Sequence, residues 1–446
     1  MKKNLTKSAY YENQIWLLIW VVLMSAVSFN LFAVGEDTGM NSNILDSAIF
    51  TNDFYPILAW DPQHGWRQEI DQRKNGLASI QDCNFNLGGF VLPRDLPECE
   101  ELGLKVIMAP DVPDILVWMR EWKHLSDEEI DARVKTMVDS AGDSPAVAGY
   151  FLTDEPGATC FPALGKAVNA VRKYAPGKLA YINLFPGYAT IGAPDQSQLE
   201  TESFTEYLER FVEDVKPQFI SYDNYMVQYS NDLVIKERIP VYFNDLIEVR
   251  RVAMKHGLPF WNIVSSNQIR PFTTIPSPAN LRFQAYTTLA AGYRGLTWFT
   301  YYARGYGYAP IGTDGEKNIT WTYLQAVNHE VKALGPIMNK LDSTGLYFTS
   351  PAIAPNLPEG PGIIIETVES DVPLMVGEFK HEDGSAYAMI VNLSLEKSAK
   401  LIPMRDGEAV EGVYFSPHDG RPLPINYDHG LWVVAGQGVL IRPEAE

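Results

Sequence analysis

The stretch Gly149-Tyr150-Phe151-Leu152-Thr153-Asp154-Glu155-Pro156 decides how the rest of the chain is read. Its aromatic, aliphatic and β-branched residues suit a buried strand, and it closes abruptly on two carboxylates and a proline that cannot continue a ladder. Upstream, Ser126 and Glu129 form a capping box that opens a helix through Ile130, Val134 and Val138, ending near Gly142. Downstream, Leu164, Val168 and Val171 fall at helical spacing before Ala175-Pro176-Gly177 stops the run. The result is a helix–strand–helix unit whose strand ends in acids.

Working outward, the same grammar recurs. A strand is expected over 179–183. Phe204, Leu208, Phe211 and Val215 line a helix before Pro217 and a strand over 218–222. Leu246, Val249 and Ala253 do so before His256-Gly257 and a strand over 259–264, and a helix over 281–292 precedes a strand over 295–301. Earlier strands fall at 54–60, 84–91 and 105–108. Eight strands alternating with helices predict an α/β fold, a (β/α)8 TIM barrel over 45–343. A doubly wound sheet is the alternative, disfavoured because no glycine-rich fingerprint follows the first strand, although Gly88-Gly89 comes near. After residue 343 short alternating runs take over, at 362–368, 374–379, 386–393, 399–403, 413–415 and 431–441. Asp383-Gly384, Asp406-Gly407 and Asp419-Gly420 separate several of them. They predict a small all-β sandwich domain over 344–446, joined through the proline-rich stretch 351–361.

Composition narrows the function. The 446 residues carry 36 Lys+Arg against 55 Asp+Glu, a net charge of −19 that repels phosphate backbones and excludes nucleic acid as a partner. Cys83, Cys99 and Cys160 allow at most one disulfide and lack zinc-site spacing. The seven histidines include no HxH or HExxH, and neither GxSxG nor a P-loop occurs, so no metal and no cofactor are expected. Lys2, Lys3 and Lys7 precede a hydrophobic run over 15–27 that gives way to small residues, as in a signal peptide over 1–34. Ala26-Val27-Ser28 and Leu31-Phe32-Ala33 are its cleavage triplets. A secreted or periplasmic location is expected, with an uncleaved membrane anchor as the alternative. The oligomeric state is not legible.

Barrels of this kind place chemistry at the C-terminal ends of their strands. The residues closing each run are Trp60 and Asp61 on the first, Asp111 on the third, Asp154 and Glu155 on the fourth, Tyr222, Asp223 and Tyr225 on the sixth, and Trp298, Tyr301 and Tyr302 on the eighth. Alternation is expected to send one of Asp154 and Glu155 inward. Aromatic faces beside carboxylates suit a carbohydrate, whose C–H faces pack on rings and whose hydroxyls bond to acids. Glu155 is the expected general acid/base, its pKa raised by Asp154 and by aromatic walls. Trp60, Asp61, Asp154, Tyr225, Trp298 and Tyr301 are expected to bind substrate.

At Glu155 the sequence resembles clan A glycoside hydrolases, in which a glutamate closes the fourth strand. The segments Arg282-Phe283-Gln284-Ala285-Tyr286 and Gly295-Leu296-Thr297-Trp298-Phe299-Thr300-Tyr301 are similar to the last helix and strand of barrels in that clan. Ala388-Met389-Ile390-Val391-Asn392-Leu393 and Gly436-Gln437-Gly438-Val439-Leu440 resemble their accessory β-domain. The resemblance implies a retaining hydrolase with a nucleophilic glutamate at the end of the seventh strand. Here 261–268 contains no acid. Either the strand count is off by one, or Asp223 supplies the second carboxylate, or the barrel binds sugars without cleaving them. Asp223 is the chosen second carboxylate. The expectation is an exported glycoside hydrolase acting on a neutral or weakly charged oligo- or polysaccharide, with a catalytically silent carbohydrate-binding protein as the alternative. A uronate lyase is disfavoured because the strand ends are nearly free of Arg and Lys.

Overall fold

Eight parallel strands close on themselves in chain order: β1 (Ile57–Trp60), β2 (Leu87–Val91), β3 (Lys105–Met108), β4 (Val147–Asp154), β5 (Leu179–Leu184), β6 (Ile220–Asp223), β7 (Phe260–Ser265) and β8 (Leu296–Phe299). β1 pairs with both β2 and β8, which seals the barrel. This computed structural model describes residues 49, 51, 53–60, 74–190, 197–303 and 305–444. All lie in one unit, Met40–Glu446. The expected signal segment and Asp61 fall outside the described residues. Within them no helix is long and apolar enough to cross a membrane. All eight strands sit where alternation and helix spacing placed them, so the strand count stands and β7 does close without an acid.

The helices form as their caps dictate. Ser126 accepts from the Glu129 amide and Glu129 answers to the Ser126 amide, opening the helix Asp127–Ala141. One long helix, Ile319–Met338, was not read from the sequence. Its core stripe Leu324, Val327, Val331, Leu334 and Met338 follows helical spacing, and the Asn318 side chain caps it by accepting from the Thr320 amide.

The sandwich adds β9 (Leu341–Phe348), β10 (Thr367–Glu369), β11 (Leu374–His381), β12 (Ala386–Asn392), β13 (Ala399–Arg405), β14 (Glu408–Ala409), β15 (Gly412–Phe415), β16 (Pro422–Pro424), β17 (Leu431–Val433) and β18 (Gly438–Pro443). One sheet runs β16-β15-β18-β12-β11-β9 and the other gathers β10, β13, β14 and β17. Three details differ from expectation. The proline-rich stretch lies after the first sandwich strand, not between the two units. The run 362–368 becomes a strand only at Thr367, because the amides of Ile363, Ile364 and Ile365 donate to Glu378 Oε1 at 2.9, 2.7 and 3.1 Å instead of to a ladder. The run 431–441 is two strands in different sheets, broken at Gly436, whose φ of +74° suits glycine.

The helix Pro278–Ala290 is buried almost throughout. One side covers β7, the other β11, β12 and β18. Gly377 lets the sheet approach: a Cβ there would stand 1.9 Å from the Ala290 carbonyl oxygen. Arg282 and Tyr286 on this helix both bond to Glu330, at 2.6 and 3.0 Å, so these polar side chains of the helix find a partner there.

Candidate active site

The strand β4 does not end by simple alternation. Its register with β5 shifts between Phe151 and Thr153, and Glu155 then adopts φ +47°, in the left-handed region rarely used by residues other than glycine. The Glu155 amide nevertheless donates to the Asn183 carbonyl at 2.9 Å. Consequently both Asp154 and Glu155 line one cavity, where alternation predicts one. The exit from β4 is held from outside: Trp122 Nε1 donates to the Leu152 carbonyl at 2.9 Å, Thr153 Oγ1 to the Met119 carbonyl at 3.2 Å, and Tyr207 Oη to the Pro156 carbonyl at 2.6 Å.

Three carboxyls meet there. Asn183, at the end of β5, donates through Nδ2 to Asp154 Oδ1 at 3.0 Å and to Asp223 Oδ2 at 2.9 Å. Both amide hydrogens are thus used, and the Asn183 carbonyl accepts from Ser221 Oγ at 3.3 Å. Asp223 Oδ1 has no donor among the described amides and hydroxyls. The Glu155 carboxyl lies near enough to act on Asp223 through charge and hydrogen bonding. Burial, then the Asp223 charge, pushes Glu155 up to about 9. Burial and Glu155 raise Asp154, and burial and Asp154 raise Asp223. Asn183 and the Glu155 hydrogen bond pull Asp223 back down. All three carboxyls are thus pushed up by burial and by one another, Glu155 highest.

The cavity encloses about 850 Å³. Trp60 forms part of its wall, braced edge-on by Phe90 with centroids 4.7 Å apart. Tyr225 and Phe299 lie 5.1 Å apart, and Phe299 meets Tyr306 at 5.2 Å. Tyr188, Met226, Arg238, Arg270 and Phe272 complete much of the lining. A further device sets the loops after β5 and β6: Asp245 Oδ2 accepts from the Gly187 amide at 3.0 Å and from Asn224 Nδ2 at 2.8 Å. Asp245 is buried, and that burial raises its carboxyl to about 7.

Of the residues expected at the site, Glu155, Asp223, Asp154, Trp60 and Tyr225 line this cavity. Trp298 and Tyr301 do not. Trp298 is fully buried on the outer side of β8, where Nε1 donates to Asn328 Oδ1 on the helix Ile319–Met338 at 2.8 Å. Tyr301 is also fully buried, its hydroxyl held by Ser79 and by Trp321 Nε1. Tyr222 and Tyr302 bond to Tyr293 and to the Asn75 carbonyl, and Asp111 pairs with Arg94 on the surface. Sequence reading missed Asn183, Tyr188 and Phe299. Asn183 closes β5, so the rule that selected Asp223 would have found it.

No protein-family model matches the sequence, and no curated protein matches it. Solved structures do. A glycoside hydrolase family 5 protein from Bacteroides vulgatus ATCC 8482 superposes with a TM-score of 0.52 at 14% identity, covering 87% of this chain and 88% of that one. A second structure, described as a glycoside hydrolase, gives 0.51 at 13% identity over 88% and 93%. A β-galactosidase from Marinomonas ef1 gives 0.49 at 12% identity; the match covers 65% of this chain and 62% of that one. Coverage of 87% is more than the barrel can supply, since its last helix ends at Met338 of 446 residues. What the chain shares with the first two is therefore a fold, a closed (β/α)8 barrel continued into the β-region that follows it.

Proposed function

We propose that this protein is an exported glycoside hydrolase in which Glu155 is the general acid/base and Asp223 the second carboxylate. The observation that carries the reading is the Glu155–Asp223 contact, held by Asn183 at the C-terminal end of the barrel beside Trp60, Tyr225 and Phe299. A carboxyl kept protonated near neutrality can donate to a glycosidic oxygen, and the aromatic walls offer faces to sugar rings. The fold shared with known glycoside hydrolases supports the same reading.

The mutual influence of the two carboxyls places them closer than the gap of about 6.5–9.5 Å that inverting enzymes keep for a water. The proposed course is retaining: the pair opens to the about 5–5.5 Å that such enzymes use, a sugar enters between them, and Asp223 attacks the anomeric carbon as Glu155 protonates the leaving oxygen. Glu155→Gln is expected to lower turnover about 10²–10⁴-fold with glycan binding kept. A glycoside with a highly acidic leaving group, which needs little protonation, regains most of the first-step rate in that variant. Proton NMR of the first-formed product reads the stereochemistry, and an inverted anomer would remove Asp223 from the nucleophile's role. One observation favours a second reading. β7 closes on Ser265 with no acid, so a barrel that only captures sugars is the alternative. Wild-type protein that binds a glycan and cleaves none of a broad panel would establish it. Export rests on the hydrophobic run at 15–27, and the mass of the protein recovered outside the cytoplasm tests whether that segment is removed.

A further inference from the structure

The cavity just described has a neighbour. A second one, of about 500 Å³, also has Asp154 and Glu155 in its wall, so the acids stand where two hollows meet and form one groove. Each flank of the groove is cationic. On one side are Arg120, Lys123 and His124, from the helix Ile115–Arg120 and the turn Trp122–His124 that follow β3. On the other are Arg238 and Arg270. All five side chains are exposed.

These cations are not spent on carboxylates. Among the described residues none of Arg120, Lys123, Arg238 and Arg270 forms an ion pair, while elsewhere Arg133, Lys166, Lys173, Arg251 and Arg282 do. A chain with 55 acidic residues has ample partners to offer, so four unpaired cations along one groove are not accounted for by folding. Their supports are built. Arg238 Nη1 donates to the Tyr229 carbonyl at 2.8 Å, which ties the guanidinium to the turn through one of its five donors. The Arg270 turn is pinned by Thr273, whose hydroxyl donates to Gln228 Oε1 at 3.1 Å, and the Ile269 amide reaches the same oxygen at 3.0 Å. Two further acids line these hollows, Glu200, held by the Thr159 amide and hydroxyl, and Glu237, beside Arg238 in the chain; each flank therefore keeps two basic residues against one acid.

We propose that the groove takes an anionic glycan, with carboxylate or sulfate groups on both sides of the sugar held at Asp154 and Glu155. This deepens the reading of the groove as a glycan site and replaces the neutral substrate expected from the strand ends alone. A net charge of −19 repels a polyanion at long range, so local cations at fixed positions are what permits capture. Guanidinium groups suit both anions through paired N–H donors, and Phe272, 72% exposed on the Arg238 flank, offers a ring face between them.

The test is calorimetric titration of the full-length Glu155→Gln protein with matched glycans: homogalacturonan and alginate against their carboxyl-reduced forms, and a sulfated galactan against its desulfated form. The anionic member of one pair is expected to bind at least about tenfold more tightly, with affinity falling as salt is added. Arg120→Gln, Lys123→Gln, Arg238→Gln and Arg270→Gln are each expected to weaken it about 3- to 10-fold. Lys166→Gln, far from the groove and paired to Asp127, leaves it unchanged. Which pair discriminates separates uronate from sulfate. Equal affinity within every pair, binding to none, or equal weakening by Lys166→Gln overturns the proposal. If wild type binds the anionic glycan and never cleaves it, the hydrolase reading fails and the anionic groove stands. Cleavage confined to neutral glycans has the opposite meaning.

Discussion

The barrel mouth and the seam between barrel and sandwich are built from the same chain to opposite standards. At the seam, the helix Pro278–Ala290 is covered on both sides, Gly377 and Gly438 let the sandwich approach it, and the carboxylate Glu330 is met by Arg282 and Tyr286. At the mouth, two of three neighbouring carboxyls share one amide bridge, an oxygen of Asp223 has no donor among the described residues, and Glu155 sits in a backbone region that costs about 1–3 kcal/mol. The seam minimises free energy. The mouth holds groups away from their preferred states.

The contrast breaks most sharply at Glu155. Beyond its expected 10²–10⁴-fold loss of turnover, Glu155→Gln should make the fold more stable in alkali. The sign follows from linkage: a carboxyl raised to about 9 in the folded chain binds a proton that the unfolded chain has released, so stability present below about pH 4 is lost as pH rises toward 9. Gln removes that loss, and melting temperatures at pH 5 and pH 8.5 should converge relative to wild type. At the seam, Gly377→Ala has only the Ala290 backbone to push against, and should cost about 1–3 kcal/mol in urea unfolding while activity per folded molecule stays unchanged. Asn183→Ala removes the bond that lowers Asp223, so the acid limb of kcat/KM should move to higher pH, with kcat at pH 6 down about tenfold and KM little changed. Asp245→Ala frees the Gly187 and Asn224 loops together and should raise KM by a few-fold, more than it lowers kcat. The smallest effect is expected from Trp298→Phe, which loses one buried hydrogen bond worth about 1 kcal/mol and leaves kcat/KM unaltered.

Much of the barrel was legible because it rests on local rules. The Ser126 capping box, the Pro and Gly stops and the β-rich runs each act over a few residues. The sandwich was less so: the Glu378 carboxylate that captures three amides is distant in sequence from none of them by more than 15 residues, yet nothing in 362–368 announces it. At the mouth, the strand-end rule located Trp60, Asp154, Glu155, Asp223 and Tyr225 in the cavity wall. It failed for Trp298 and Tyr301 because a strand's end says how far along the barrel a residue lies, and only the neighbouring helix decides which side its ring occupies. Other aromatics pack on one another away from the cavity wall: Phe90 stacks on Phe151 at 3.9 Å, and Phe219 packs on Trp261 at 4.6 Å. The cationic flanks were invisible for a different reason. Arg120 and Lys123 lie far in the chain from Arg238 and Arg270, and only the closure of the barrel brings the two pairs to the hollows on either side of the acids.

The helix Pro278–Ala290 bears on how this architecture can be altered. Because it carries the outer wall of β7 and the inner face of the sandwich at once, neither part is an exchangeable module. A chain cut after Met338 would uncover Tyr286 and Ala290, against which Gly438 and Gly377 of the sandwich pack, and leave the barrel with a sticky flank. Shortening the protein for use as a reagent therefore calls for a redesigned helix surface, and swapping in a foreign β-domain calls for a partner with glycines at the positions of Gly377 and Gly438.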